Sequence, residues 1–330
     1  MIPNQWYAIL ESKEVKPGKP IGVTRLGEQL VLWRDSQGTV ACLRDLCPHR
    51  GVALSIGALR RDCIECPFHG FQYDASGRCT LVPANGRAAE PPKALQVTAY
   101  PTREAHGLIY VWYGTPRAEY PPLPFFDTID ESFSQATFRD HWTTHYSRAI
   151  ENQLDVVHLP FVHRSAIGRG NQTLVNGPAS RLISQPGCDL IELWVDNAVD
   201  AGQKPLKPSE IPEPQRHALI QFAFPNLWHN WLGDNLHLFI AFAPIDDANT
   251  LLYIRQYQNI VRAPLVRDVF NFVANIGNLF IERQDKRVVI TQQPKRSTWH
   301  MDEILIQGDS PIIQYRRRRH ELIEQADAST

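Results

Sequence analysis

Cys47-Pro48-His49-Arg50-Gly51 and, after sixteen residues that follow His49, Cys66-Pro67-Phe68-His69-Gly70 are the two short blocks on which the reading of this chain turns. Each block offers one thiolate and one imidazole on a tight turn, so two loops can close over a metal centre from opposite sides. The glycine that ends each block lets the backbone approach closely. Around them, from Gln29 to Tyr113, short β-type runs (QLVLWRD, TVACLRD, FQYD, LIYVWYG) alternate with Gly, Pro, Asp and Asn turns. That pattern predicts a small all-β domain, placed at residues 1–115.

Two Cys on one iron and two His on the other are the ligand set of a Rieske two-iron, two-sulfide cluster, here Cys47, Cys66, His49 and His69. Structural zinc also accepts two Cys and two His. Common zinc spacings keep the cysteines together and the histidines together, whereas here each loop supplies one of each, which favours chemically distinct irons. CPHRG followed by CPFHG resembles the Rieske domain of aromatic-ring-hydroxylating and related oxygenases. Respiratory Rieske proteins carry additional disulfide-forming cysteines, where this chain has Val52 and Phe68. That departure implies a lower-potential cluster suited to feeding an oxygenase. Cys42, Cys63 and Cys79 have no His at ligand spacing and read as small buried apolar residues.

Bulk properties exclude several alternatives. The chain has 330 residues, 43% of them hydrophobic, enough for a substantial core, and a net charge of -1. With pI near 6.9, nothing calls for nucleic acid or an anionic membrane surface. The opening MIPNQWYAILESKE lacks a basic region followed by an apolar one, and no stretch has bilayer-spanning length. A soluble cytoplasmic protein without disulfides is expected.

The proline-dense stretch TPRAEYPPLP provides a connector at residues 116–124. Beyond it, residues 125–330 alternate longer β-type segments with two helical patterns, predicting an α+β unit in which helices pack on an antiparallel sheet. The first helix is expected over about Tyr146 to Leu159, ended or sharply turned by Pro160. Asn152, Asp155 and His158, three apart, would share one face of it, and the proline turn would return His163 toward the same point. Two His and one carboxylate on a single face of a ferrous ion leave the opposite positions open for dioxygen and substrate. If Asp155 is otherwise employed, the second helix supplies the carboxylate. It begins near Pro264 with apolar residues Leu265, Val269, Phe272, Ile276, Leu279 and Phe280 expected to pack on the sheet. Asp285 is the third ligand on this reading, with Glu282 the fallback.

The same resemblance implies more. In the oxygenase family an E-N-x-x-D-x-x-H-x-x-x-x-H segment supplies the two histidines and a C-terminal D-x-x-V-type helix supplies the aspartate. The fold implied is a Rieske β-domain followed by a helix-grip (START-like) catalytic domain, with a [2Fe-2S] cluster and a mononuclear Fe(II). Asp155 would connect His69 of one subunit to His158 of its neighbour, so Asp155 and Asn152 are the expected catalytic residues and a homotrimer the expected assembly. A separate ferredoxin or NAD(P)H-dependent reductase would supply electrons, since the chain carries no nucleotide motif after a strand. Dioxygen and an aromatic or polycyclic small molecule would be the substrates, for hydroxylation, demethylation or cis-diol formation. The rival reading is a Rieske ferredoxin with an appended binding domain. Arg316 to His320, RRRRH, could dock an acidic redox partner, although such a run is more simply a solvated face.

Overall fold

A computed structural model describes residues 1–168, 174–215 and 217–328. The chain forms two compact units, one of Pro3–Ala118 with Met1 and Pro244–Asp246, the other of Glu119–Ala243 and Asp247–Thr330 with Ile2.

The first unit is all β. Its strands are β1 (Gln5–Glu11), β2 (Ile21–Arg25), β3 (Glu28–Arg34), β4 (Val40–Arg44), β5 (Ala58–Arg60), β6 (Cys63–Glu65), β7 (Gln72–Tyr73), β8 (Cys79–Leu81), β9 (Thr102–Ala105) and β10 (Leu108–Tyr113). They form three sheets in the orders β1-β10-β9, β2-β3-β4 and β5-β6-β7-β8. Strand β1 precedes the runs expected from sequence. It is buried along nearly its whole length and so shows no polar alternation. Val31, Trp33, Leu43, Ile64 and Tyr73 make a core with no exposed surface, and Cys47 and Cys66 are packed into it. All six cysteines are free.

The second unit contains β11 (Ser134–Trp142), β12 (Leu174–Val175), β13 (Ala179–Gln185), β14 (Cys188–Trp194), β15 (Ala198–Val199), β16 (Ile220–Ala223), β17 (Leu227–Gly233), β18 (Leu236–Pro244) and β19 (Thr250–Gln258). Its helices are α1 (Tyr146–Leu154), α2 (Leu159–Val162), α3 (Pro264–Val289) and α4 (Ser310–Asp327). A seven-stranded antiparallel sheet runs β11-β19-β18-β17-β16-β14-β13, with β12 and β15 as a separate ribbon. Strand alternation sends Phe222 and Trp228 toward the helices, where Phe222 meets Tyr315 of α4 edge-on at 5.4 Å and Trp228 Nε1 donates to the Gln153 carbonyl of α1. On the other face Phe126 covers His229 at 4.9 Å and Phe125 covers Phe239 at 5.6 Å.

Three elements depart from the sequence expectation. The first helix stops at Asp155 (φ -90, ψ 121), well before Pro160, so Asn152, Asp155 and His158 do not line one helix face. The cause is the Asp155 side chain, whose Oδ1 accepts from the N–H of Val157 at 2.7 Å and of His158 at 3.3 Å, a local alternative to continuing the helix. Pro160 falls in the first turn of the new helix α2, where its missing N–H costs nothing.

Helix α3 is oriented opposite to expectation. It buries Asn271, Asn275, Glu282 and Asp285 and exposes the apolar stripe that was expected to pack on the sheet. The helix lies along edge strand β11, whose polar groups need partners. Asn275 Nδ2 donates to the Ala136 carbonyl at 2.8 Å, and Asn271 Nδ2 to Ser134 Oγ at 3.2 Å.

Helix α4 was not expected, because RRRRH reads as a solvated run. Arg316 and Arg319 are nevertheless buried. Arg316 clamps Glu151 (2.7 and 3.0 Å) and Glu303 (2.7 Å), and Arg148 joins the same two carboxylates at 3.1 and 2.7 Å. Arg318 pairs with Asp189, and the exposed Arg317 pairs with Glu321 along the helix. Among the described residues, no helix is long and apolar enough to cross a membrane.

Candidate metal centres

The two Cys-His blocks fold into matching turns. Cys47 N donates to the Val52 carbonyl and Gly51 N to the Cys47 carbonyl, both at 2.8 Å. In the second block Cys66 N donates to the Phe71 carbonyl at 2.8 Å and Gly70 N to the Cys66 carbonyl at 3.0 Å. Gly51 and Gly70 stand at φ 73 and 70, the left-handed region that glycine alone enters freely. The turns sink the cysteines into the core and leave His49 and His69 at the surface, their rings 4.7 Å apart and edge to face. Burial pushes the Cys66 thiol up, while the N–H groups of Phe68 and His69 aimed at its sulfur pull the other way. Tyr73, absent from the sequence expectation, places its buried hydroxyl 3.2 Å from Cys47 Sγ.

Among the described residues, only His158, His163 and Asp285 bring three metal-ligating atoms within 4.8 Å of one another. Cys47, His49, Cys66 and His69 therefore do not converge on one point, as a single zinc ion would require. A donor set of two thiolates and two imidazoles spread over two loops suits a cluster that spans them.

In the second unit the break after α1 and the short α2 carry His158 and His163 on either side of a turn, and α3 brings Asp285 up to them. Asp285 Oδ1 lies 3.3 Å from His158 Nε2 and 3.0 Å from His163 Nε2. Ligand atoms at right angles about 2.1 Å from an ion stand about 3.0 Å apart, which both carboxylate–imidazole distances approach. Gln284 Oε1, an acceptor, lies 2.8 Å from His163 Nδ1, so that nitrogen is the donor and Nε2 is the one turned to the carboxylate. Both imidazole Nε2 atoms thus meet at the buried Asp285 Oδ1. These residues fit a metal ion.

Glu282, the alternative carboxylate, is turned toward Gln153, whose Nε2 donates to its Oε2 at 3.2 Å. Burial pushes Glu282 well up, and the nearby negative charges of Asp285 and Asp140 add to the effect. Asp285 is held below the usual carboxylate range because the two imidazoles outweigh its burial. Burial opposes the charged form of His158, but Asp155 and Asp285 push it up to about 9. Asp155 Oδ2 lies 3.6 Å from His158 Nδ1, an ion-pair distance too long for a hydrogen bond. Asn152 keeps a buried amide nitrogen without a hydrogen-bond partner. Sequence reasoning missed Gln284 and Gln153. The only cue was that each lies beside a singled-out polar residue on a helix.

Residues 5–101 match the Rieske [2Fe-2S] domain family, and residues 142–325, more than half of the chain, match the vanillate O-demethylase oxygenase C-terminal domain family. Similar curated proteins include the chloroplastic protein TIC 55 of Arabidopsis thaliana, 36% identical over 48% of this chain and 30% of that protein. They also include the oxygenase component of dicamba O-demethylase from Stenotrophomonas maltophilia, 34% identical over 50% of this chain and 48% of that one. The chain thus spans half or less of the length of these two relatives. The fold is also that of dicamba monooxygenase bound to dicamba, with a TM-score of 0.73 and 21% identity over 100% of this chain and 99% of that one. A Rieske domain that implies a [2Fe-2S] cluster, joined to a domain whose family implies mononuclear iron, places this chain in the family of Rieske non-haem iron oxygenases.

Proposed function

We propose that this chain catalyses dioxygen-dependent hydroxylation or demethylation of an aromatic or polycyclic small molecule, taking electrons from a separate ferredoxin or NAD(P)H-dependent reductase. The observation that carries the reading is the convergence of His158 Nε2 and His163 Nε2 on one oxygen of Asp285, in a chain that also holds Rieske loops. On this reading residues 1–115 form the Rieske domain, 116–124 the connector and 125–330 the catalytic domain. Cys47, His49, Cys66 and His69 would hold the cluster, and His158, His163 and Asp285 the iron.

When bound, the cluster supplies single electrons and the iron supplies dioxygen activation. The protein supplies orientation and proton placement. Gln284 fixes the hydrogen of His163 on Nδ1, which keeps Nε2 free for a metal. Asp155 ends α1 where the chain must turn, and its Oδ2 faces His158, the position from which a carboxylate can also meet His69 of a neighbouring subunit. A head-to-tail homotrimer gives every subunit both roles. Asn152 adds an amide donor beside the turn. Glu282 is anchored by Gln153 away from the two histidines, and its burial and the Asp285 charge push its pKa up. The wording "oxygenase component" for the dicamba relative supports a separate electron donor. A cytoplasmic location accords with the absence of a membrane-spanning helix among the described residues.

Iron and acid-labile sulfide analysis of the purified holoprotein, with an electron paramagnetic resonance spectrum after reduction, tests this. About three irons and two sulfides per chain are expected. Two irons with two sulfides would instead identify a ferredoxin with an appended domain.

A further inference from the structure

The outward face of α3 is a second feature that the oxygen chemistry does not use. Leu265, Val269, Phe272, Ile276 and Leu279 follow one another at intervals of four, three, four and three residues, the spacing of a helix-pairing seam. Val266, Val273 and Phe280 repeat every seven residues beside it. Apart from the half-buried Leu279, these side chains are between 48% and 84% exposed.

This face is not a wall of the metal pocket. With 3.6 residues per turn, Val269 and Ile276 lie roughly 160–180° around the helix from Asp285. The inward face is already engaged with its own sheet through Asn271, Asn275 and Asn278. Seven exposed apolar side chains present roughly 700 Å², above the few hundred Å² usual for a monomer's surface and close to the roughly 800 Å² per partner of a stable interface.

Charge and shape select the occupant. Between Pro264 and Phe280 the only charged residues are Arg267 and Asp268, and they pair with each other at 2.9 Å. Nothing on the face repels a copy of itself, and it lacks the cationic flank along its length with which interfacial helices hold lipid headgroups. Gly277 is exposed, and a Cβ built there meets nothing within 4 Å. A helix-interior glycine weakens its own helix, and its use on such a face is to admit the backbone of a neighbour.

We propose that the outward face of α3 is a two-fold interface that pairs two copies of this chain, helix against helix. The contact is isologous and independent of the head-to-tail ring. Combined with a ring of three it produces a particle of six chains, about 226 kDa, six times the 37.6 kDa protomer.

Light scattering or sedimentation equilibrium of the purified holoprotein at about 10 µM reads the mass directly, a concentration at which a stable interface of this size is occupied. Val269→Glu and Phe272→Glu are expected to halve the mass while the visible absorption of the cluster is retained, because both positions are already exposed. Val269→Thr, nearly the same shape, serves as the milder variant and is expected to make the halving concentration-dependent, while Val269→Leu keeps the wild-type mass. A halving supports the interface whether the wild type runs as two chains or six, so failure of the ring and failure of the pairing are told apart. Unchanged mass in both glutamate variants overturns the proposal. If the wild type, but not Val269→Glu, then co-sediments with phosphatidylcholine vesicles, the occupant is lipid and not a second copy.

Discussion

The hydroxyl of Tyr73 has no water to compete for its proton, being fully buried 3.2 Å from Cys47 Sγ. A donor to a ligating sulfur favours the reduced, more negative cluster. Tyr73→Phe should lower the midpoint potential by on the order of 50 mV, the equivalent of about one hydrogen bond's net free energy, as read by redox titration. Gln284→Leu removes the acceptor that fixes His163, and metal affinity should fall about 10- to 100-fold in a cobalt titration followed by its absorption. Gln284→Glu retains an acceptor and should bind nearly normally. Asp155→Asn keeps the oxygen that caps Val157 N, so fold and both metal contents should survive. Its amide cannot carry the charge through which the proposed inter-subunit link would act. Turnover should be lost, and full activity in this variant would remove the bridge.

Helices α1 and α4 are locked by the buried quartet of Arg148, Glu151, Glu303 and Arg316. Arg316→Ala leaves Glu151 buried with one partner fewer and should cost on the order of 3 kcal/mol in urea unfolding. Glu303 opposes its partial burial by pairing with Arg148 and Arg316, which hold it below the usual glutamate range. A depressed carboxylate stabilises the fold above its unfolded value and loses that contribution as pH falls through the folded one. Glu303→Gln should therefore flatten the acid limb of a stability-against-pH curve. What was legible in sequence follows the same physics. The strands around the Cys-His blocks could be read because turn residues bracket short apolar runs. The end of α1 could not, because spacing by threes describes a continuous helix equally well, and only the side chain of Asp155 decides. The sense of α3 was misread because an apolar stripe was assumed to face inward. An edge strand that needs amide donors and a metal site that needs acids claimed that side instead.

At the scale of the whole molecule, each unit carries its own buried core and its own candidate centre, so the two should respond separately to metal removal. A ferrous chelator is expected to reduce iron from about three to about two atoms per chain while the visible absorption of the cluster persists. Simultaneous loss of both signals would mean that the centres are not independent. The candidate ligands stood out in the sequence because thiolates and imidazoles at fixed spacing have few other uses. The supporting residues Tyr73, Gln153 and Gln284 did not, because hydroxyls and amides are common and acquire meaning only when folding points them at a ligand.

The turns that seat Cys47 and Cys66 in the core while lifting His49 and His69 to the surface make the first centre electrically one-sided. Packed hydrocarbon sheathes its sulfur end as insulation, whereas the imidazole edge lies bare. That edge carries two rings, His49 and His69, so entry and exit of current have a ring each available.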